Sequence, residues 1–286
     1  MSFLHQILAA SYLPLKSANS IAKFIKLKSR SELRVLLYHD IASEELEKAR
    51  FQIKELSKTF RFISPEVFSE MVSGKISIQG KNLLLTFDDG FISNRNVAEQ
   101  ILNPLGIKAL FFIVSDFVDV QGSKYRKEFI AKNIYPDRSL EQIPDSWGPM
   151  NWDDLRYLIE TGHTIGSHTR NHARLSKISD ERSLYNEIVT SKEILQDKLN
   201  ITIKHFAYTF GDLDSFSESA LKIAKTTYPY IYTGLRGNNI GAHPWAIRRD
   251  AVSPEDSFSL VGALLEGGAD ILYRKSLRIY ESWVNQ

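Results

Sequence analysis

Short, uninterrupted runs of apolar residues alternate along this chain with segments whose apolar residues recur at helical spacing. Such runs are typical of strands buried on both faces, and the second pattern is typical of helices with one buried side. This alternation predicts a parallel sheet with helices packed outside it. The predicted strands lie at residues 33–40, 62–64, 83–87, 109–114, 163–167, 205–208 and 230–234, with a last candidate at 245–250. We therefore expect an α/β fold, a distorted (β/α)7-type barrel.

Residues 115–149 interrupt the alternation with a long polar stretch that contains scattered aromatic residues and prolines. In a barrel, such an insertion is an elaborated loop after a strand, and loops at that end usually shape the site. The chain has no internal repeat and no linker-like tract. We therefore expect residues 31–286 to form a single domain.

The composition excludes several classes of function. With 36 basic and 34 acidic residues, the formal net charge is +2, far from the clustered basic excess of a nucleic-acid-binding protein. The chain contains no cysteine, which rules out disulfides, cysteine-ligated zinc and thiol nucleophiles. Any bound metal ion must therefore be held by histidine and carboxylate.

Residues 1–30 are predicted to form a basic, amphipathic N-terminal segment. No basic residue precedes the apolar residues 3–10, as a secretory signal would require, and Pro14 and Lys16 come too early for a membrane-spanning helix. Its basic residues are Lys16, Lys23, Lys26, Lys28 and Arg30. The segment either lies on an anionic membrane surface or packs on the domain with its basic side in water. We expect a cytoplasmic protein, peripheral at the inner membrane face in the first case.

Two weak signals for a site follow predicted strands. Asp88 and Asp89 end the strand at 83–87, where a carboxylate pair suggests a metal ion or a reacting proton, although Asp-Asp-Gly also suits a simple turn. His168 and His172 follow the strand at 163–167, and on a helical turn their spacing would place both rings on one side. Because parallel strands end at one face of a barrel, the aspartate pair and the histidine pair are expected to lie close together.

Together these residues suit hydrolysis of an amide or ester. Two imidazoles and one carboxylate are a common zinc ligand set that leaves a position open for water. One aspartate would bind the metal ion, which lowers the pKa of the water, and its neighbour would accept the proton.

The same residues resemble the polysaccharide deacetylases with the NodB homology domain (carbohydrate esterase family 4). Residues 86–90, Thr-Phe-Asp-Asp-Gly, match the first motif of that family, and residues 168–172, His-Thr-Arg-Asn-His, match the second. Residues 206–211, Phe-Ala-Tyr-Thr-Phe-Gly, are similar to the third motif, with Thr209 where proline is usual. The resemblance covers roughly residues 33–250, with the motifs in the expected order.

The resemblance implies removal of N-acetyl groups from the amino sugars of a glycan or glycoconjugate. The expected cytoplasmic location favours a role in surface-polysaccharide or lipid-linked sugar biosynthesis. It implies that Asp88 is the catalytic base and that Asp89, His168 and His172 bind one divalent metal ion. That ion is most often Zn²⁺, and Co²⁺, Ni²⁺ or Fe²⁺ would also suit the ligands. It further implies that the backbone N–H of Phe210 helps to bind the oxyanion. The partner is an N-acetylated amino sugar, and the oligomeric state is undetermined.

Other residues are assigned by their places in the sequence. The arginine that orients the base in many relatives has no evident counterpart early in the third motif. Arg249 is grouped with Thr209 and Phe210 as a substrate or oxyanion contact, and Arg248 and Arg249 are alternatively expected to contact substrate or the base. The Leu-x-His that supplies the general acid has no clean match, which leaves His39 and His243 as weaker candidates. Two other readings stay open. One is an O-acetyl esterase or cyclic-amide hydrolase on the same scaffold, and the other is a non-catalytic carbohydrate-binding module.

Overall fold

A curled parallel sheet surrounded by helices forms the protein in the computed structural model, which describes residues 3–24 and 31–286. The strand order is β7-β6-β5-β4-β3-β1-β8, with β2 also paired to β3, and all named pairs are parallel. The strands are β1 Glu32–Tyr38, β2 Arg61–Phe62, β3 Lys81–Phe87, β4 Leu110–Ile113, β5 Thr164–Ser167, β6 His205–Ala207, β7 Tyr230–Tyr232 and β8 Asp250–Ala251. The predicted α/β barrel-type fold is confirmed.

Helices connect the strands and cover the outside of the sheet. They are α1 Phe3–Phe24, α2 Leu46–Ser57, α3 Pro65–Val72, α4 Ile92–Val97, α5 Ser123–Phe129, α6 Trp152–Glu160, α7 Glu181–Tyr185, α8 Ser191–Leu199, α9 Glu218–Thr227, α10 Phe258–Leu265 and α11 Asp270–Val284. The sequence explains where helices begin, and α6 is an example. The side chain of Asn151 accepts hydrogen bonds from Asp153 N and Asp154 N at the start of α6, both at 2.9 Å.

Alternating side chains of each strand face the barrel interior and the helices. In β3, Leu84 belongs to the interior cluster, whereas Leu83, Leu85 and Phe87 belong to the larger cluster under the helices. All are completely buried, which is worth about 1.5–3 kcal/mol for each such side chain relative to exposure. This alternation also orients the residues that follow β3, because a period of two directs Asp88 to the interior.

The predicted strand at 245–250 is mostly wrong. Only Asp250 and Ala251 form a strand, and the chain before them makes a single parallel bridge, between Ile247 and Tyr232 of β7. This bridge and the pairing of β8 with β1 connect the two edges of the curled sheet.

The insertion at 115–149 is more ordered than a loop. It contains α5 and a π-helical turn at Ile130–Ile134, and its apolar side chains form a separate cluster around Phe91, Val114 and Phe117. Ile92 N donates to Gly148 O at 2.8 Å and Met150 N donates to Gly90 O at 2.9 Å. The insertion is therefore attached directly to the turn that follows β3.

The N-terminal segment contains α1, which packs on α10. The ring of Tyr12 meets Phe258 edge-on at 5.9 Å, and a Cβ at Gly262 would lie 2.4 Å from the same ring. Lys26, Lys28 and Arg30 lie outside the described residues, so the predicted membrane contact and location stay predictions. Within the described ranges, no helix has the length and apolarity needed to cross a membrane.

Candidate metal and catalytic site

Asp88 and Asp89 follow β3 in two different backbone conformations. Asp88 continues the strand, and its N–H donates to Tyr38 O of β1 at 3.0 Å. Asp89 has φ 73°, a left-handed conformation that is uncommon for residues with a side chain. Gly90 follows with φ 85°. The turn therefore separates the side chains of two adjacent aspartates, and its strain suggests a functional constraint.

His168 and His172 reach the same place through a loop and not through the helical turn considered for their spacing. His168 continues β5, with its N–H donating to Ile113 O at 2.9 Å. Thr169 and His172 have φ 65° and 58°, so the chain reverses between the two histidines. The ring centroids of His168 and His172 are 5.2 Å apart. The predicted convergence of the strand ends is confirmed.

The histidine nitrogens have a fixed arrangement. Nδ1 of His168 donates to Ala207 O at 2.9 Å, and Nδ1 of His172 donates to Asn133 O at 2.8 Å, since a carbonyl can only accept. With Nδ1 occupied in this way, each ring directs its Nε2 toward Asp89. These atoms lie 3.5 Å and 3.3 Å from Oδ1 of Asp89. Burial lowers the pKa of His168 to about 4, which keeps that ring neutral in the absence of metal.

The three side chains meet the requirements of a cation site. Both carboxylate oxygens of Asp89 are buried and have no hydrogen-bond partner among the described residues. One ligand atom from each of Asp89, His168 and His172 lies within 4.8 Å of the others. Burial acts to raise the pKa of Asp89, but its contact with His172, whose Nε2 lies 3.3 Å from Oδ1, holds the pKa below its ordinary value. A divalent cation would satisfy all three side chains at once.

Arg249 lies beside Asp88. It is completely buried, and its Nη1 contacts Oδ1 of Asp88 at 2.7 Å while its Nε donates to Thr233 O at 2.9 Å. Its guanidinium lies 5.2 Å from the centre of the Phe112 ring inside the barrel. The side chain is therefore inaccessible to substrate and contacts Asp88, the residue expected to be the base, which is the alternative contact considered for Arg249.

Thr209 and Phe210 form the wall beside His172. The hydroxyl of Thr209 is buried and donates to Ala173 O at 2.7 Å, so this side chain supports the loop, and its predicted contact with substrate or oxyanion stays a prediction. Phe210 has φ 63°, its ring meets that of His172 at 4.8 Å, and its N–H has no acceptor among the described residues. Gly234 packs against Gly211 of this loop. A Cβ added to Gly234 would lie 2.6 Å from Gly211 Cα.

The two weaker histidine candidates, His39 and His243, lie in different parts of the structure. His39 follows β1 at the same barrel mouth, is partly exposed, and its charge acts on Asp89. His243 is exposed and stacks on Trp245, and the carbonyl of the intervening Pro244 accepts from Ile231 near the start of β7. His243 therefore lies near the opposite end of the sheet, away from Asp88 and Asp89.

Three residues at the mouth were not predicted as site residues. Asn133 supplies the carbonyl that orients His172, a backbone role with no signature in the sequence. Asp40 accepts from the Ser93 hydroxyl at 2.6 Å and also contacts Trp147. Burial and the charges of Asp89 and Asp40 raise the pKa of Tyr135, which places its hydroxyl near both carboxylates. Asp40 directly follows His39 after β1, so the rule that strand ends converge could have found it.

Comparisons with known proteins agree with this geometry. The family model described as polysaccharide deacetylase matches residues 75–231. YxkH of Bacillus subtilis (strain 168), whose given name also places it among polysaccharide deacetylases, is 25% identical over 261 residues, 88% of this chain and 82% of the relative.

Solved structures share the fold. IcaB from Ammonifex degensii has a TM-score of 0.66 at 22% identity, with 83% of this chain and 98% of that chain covered. The Streptococcus pyogenes deacetylase PplD, solved in complex with acetate, has a TM-score of 0.64 at 20% identity, with 80% and 96% covered. The chain belongs to the polysaccharide deacetylase family.

Proposed function

We propose that this protein is a metal-dependent hydrolase that removes N-acetyl groups from the amino sugars of a glycan or glycoconjugate. The observation that carries the proposal is the buried group of Asp89, His168 and His172, whose ligand atoms lie within 4.8 Å, beside a second carboxylate held by Arg249. The family of the chain supports glycan deacetylation as the general activity.

Asp89, His168 and His172 would hold one divalent metal ion. Zn²⁺ suits two imidazoles and one carboxylate, and Co²⁺, Ni²⁺ and Fe²⁺ accept the same ligands. When bound, the ion would lower the pKa of a water molecule and polarise the acetyl carbonyl. The carbonyls of Ala207 and Asn133 fix the ring orientations, as such outer contacts do in metal sites.

Asp88 is suited to act as the general base. Its Oδ2 lies 3.7 Å from Nε2 of His168, next to the ligand set, while its Oδ1 is taken by Arg249 at 2.7 Å. Arg249 thus fixes the carboxylate and leaves one oxygen to accept a proton. A positioned base of this kind contributes typically 10²- to 10⁴-fold to the rate.

Phe210 would stabilise the charge that develops on the acetyl oxygen. Its N–H is free of other acceptors among the described residues and lies in the loop whose ring packs on His172. Thr209 ties this loop to Ala173, next to His172. A preorganised backbone donor of this kind adds to catalysis without reorganisation during the reaction.

His39 is the best placed residue to protonate the leaving amine. The described side chains of the other histidines are excluded, because His168 and His172 face Asp89, His243 lies elsewhere, and burial lowers the pKa of His163 and His205 to about 4. We expect His39→Gln to retain metal and to lower kcat. An unchanged kcat would remove His39 from this role.

The alternatives predict different products. An O-acetyl esterase or cyclic-amide hydrolase would use the same residues, whereas a carbohydrate-binding module would have no use for two buried, unpartnered oxygens on Asp89. The role in surface-polysaccharide or lipid-linked sugar biosynthesis, the cytoplasmic location and the peripheral membrane contact belong to the same proposal.

The decisive test is acetate release by metal-loaded protein from N-acetylated and O-acetylated sugars, with Asp88→Asn as the variant. We expect release from the N-acetylated substrate only, and a loss of at least 10²-fold in the variant. Asp116→Asn, which changes a carboxylate paired with Arg170 at 2.9 Å, is a control for charge. Preference for the ester, or an unchanged rate in Asp88→Asn, would contradict the proposal.

A further inference from the structure

The insertion presents an arginine held against two aromatic rings, which we call the Arg138 clamp: Tyr135, Arg138 and Trp147. The guanidinium carbon of Arg138 lies 4.9 Å from the centre of the Tyr135 ring and 5.0 Å from that of Trp147. The two rings contact one another at 5.1 Å and are partly buried, whereas Arg138 is exposed.

The local sequence explains this arrangement. Pro136 and Asp137 occupy the centre of a turn that is closed by the N–H of Arg138 donating to Tyr135 O at 3.0 Å. Proline favours the first central position of such turns and aspartate is common in them. The turn brings Arg138 back over the ring of Tyr135.

The Arg138 clamp belongs to the mouth of the proposed catalytic site. Asn133, two residues before Tyr135, accepts from Nδ1 of His172 at 2.8 Å. Burial and the charges of Asp89 and Asp40 raise the pKa of Tyr135, and Trp147 contacts Asp40. Gly148 O of this insertion and Met150 N directly after it bond to the turn after β3, and these bonds fix the position of the insertion relative to Asp89.

Arg138 has no acidic partner among the described residues, in contrast to Arg170 and Arg174, which follow β5. Within the described ranges, no carboxylate oxygen lies within 4.0 Å of its side chain. In contrast, Arg170 contacts Asp116 at 2.9 Å and Arg174 contacts Asp212 at 3.2 Å. The aromatic faces hold the guanidinium while its edge N–H groups remain available, a geometry suited to bidentate binding of phosphate or carboxylate.

We propose that the substrate is an anionic amino sugar, and that the Arg138 clamp binds its phosphate or carboxylate group while the acetamido group lies at the metal site. This inference rests on the proposed deacetylase function and specifies its substrate class. Because the aromatic rings already restrict the side chain, Arg138 loses less rotamer freedom on binding than a free surface arginine would. We expect the negative group to improve binding about tenfold relative to a neutral sugar.

The test compares three sugars on metal-loaded full-length protein: methyl N-acetyl-β-D-glucosaminide, which is neutral, N-acetylglucosamine 1-phosphate and N-acetylmuramic acid. Titration calorimetry, with Asp88→Asn added to each protein to suppress turnover, gives each dissociation constant, and acetate release by the proteins with intact Asp88 gives kcat/KM. Arg138→Gln is the variant. Arg182→Gln removes the same charge from an exposed position in α7 and is the matched control.

The expected result is about tenfold tighter binding of one or both anionic sugars by the wild type and by Arg182→Gln, and equal binding of all three by Arg138→Gln. The phosphate and carboxylate arms identify which group is recognised. Equal or undetectable binding of the anionic sugars by the wild type, or a preference that survives in Arg138→Gln, overturns the inference. Failure of acetate release from every sugar, with the binding preference intact, would instead count against the deacetylase function.

Discussion

Replacement of Arg249 by methionine should expose how strongly the proposed base depends on its buried partner. The guanidinium and the Asp88 carboxylate are 0% and 2% exposed, and their charged atoms lie 2.7 Å apart. At an effective dielectric constant of about 20, two unit charges at this distance attract by about 6 kcal/mol. Desolvation of both groups offsets part of that attraction, and loss of one partner of a buried pair costs about 3–5 kcal/mol.

A double-mutant cycle separates this coupling from the other contacts of Arg249. Arg249→Met and Asp88→Asn should each lower the free energy of unfolding by about 3 kcal/mol, because each leaves the other charge buried without a partner. The double variant removes both charges, so its loss should be at least about 2 kcal/mol smaller than the sum of the single losses. The measurement is denaturant unfolding followed by circular dichroism, with all proteins in the same metal state.

The neighbouring residue provides a matched control. Arg248 is partly exposed and pairs with Glu281 at 2.6 Å, a surface-type contact worth about 0.2–1 kcal/mol. Arg248→Met should therefore be much milder than Arg249→Met. Additive losses in the cycle, or equal losses at the two arginines, would refute the idea that Arg249 stabilises and orients Asp88 as an ion pair.

Two further predictions concern pH and packing. Burial lowers the pKa of His163 and His205 from 6.5 to about 4, so between these pH values the unfolded chain binds protons that the folded chain does not. Acidification across this window should lower the unfolding free energy by about 3 kcal/mol per histidine, and His163→Gln should reduce the pH slope in denaturant titrations; an unaltered slope would contradict this. Gly234→Ala would place a Cβ 2.6 Å from Gly211 Cα, so it should displace the Phe210 loop, cost about 1–3 kcal/mol and lower kcat while metal content stays unchanged. Wild-type kcat in that variant would show that the loop does not support catalysis.

The sequence predicts those parts of the fold and site that depend on local patterns. Uninterrupted apolar runs locate the main strands, and the rule that parallel strands end at one face brings Asp88 and Asp89 together with His168 and His172. The distances between Asp89 and both histidines confirm this convergence. The residue roles at the site remain proposals.

The parts that the sequence does not predict depend on contacts between distant segments. Arg249 pairs with a residue 161 positions away, from a segment whose regular strand is only two residues long. Its burial could not be read from two adjacent arginines, only one of which points inward. The hydrogen bond of Thr209 is not predictable for a similar reason, because its hydroxyl bonds to a backbone carbonyl, and carbonyls have no residue-type signature.

The central claim is that Asp89, His168 and His172 form a metal site, and the metal content of freshly purified protein tests it most directly. Elemental analysis by mass spectrometry should find about one divalent ion per chain, and His168→Ala and Asp89→Ala should each remove most of it, because a three-ligand set loses one protein ligand. His243→Ala, which changes a histidine near the opposite end of the sheet, should keep the full amount. A wild-type protein that contains no stoichiometric metal and binds none on addition of Zn²⁺ would contradict the account.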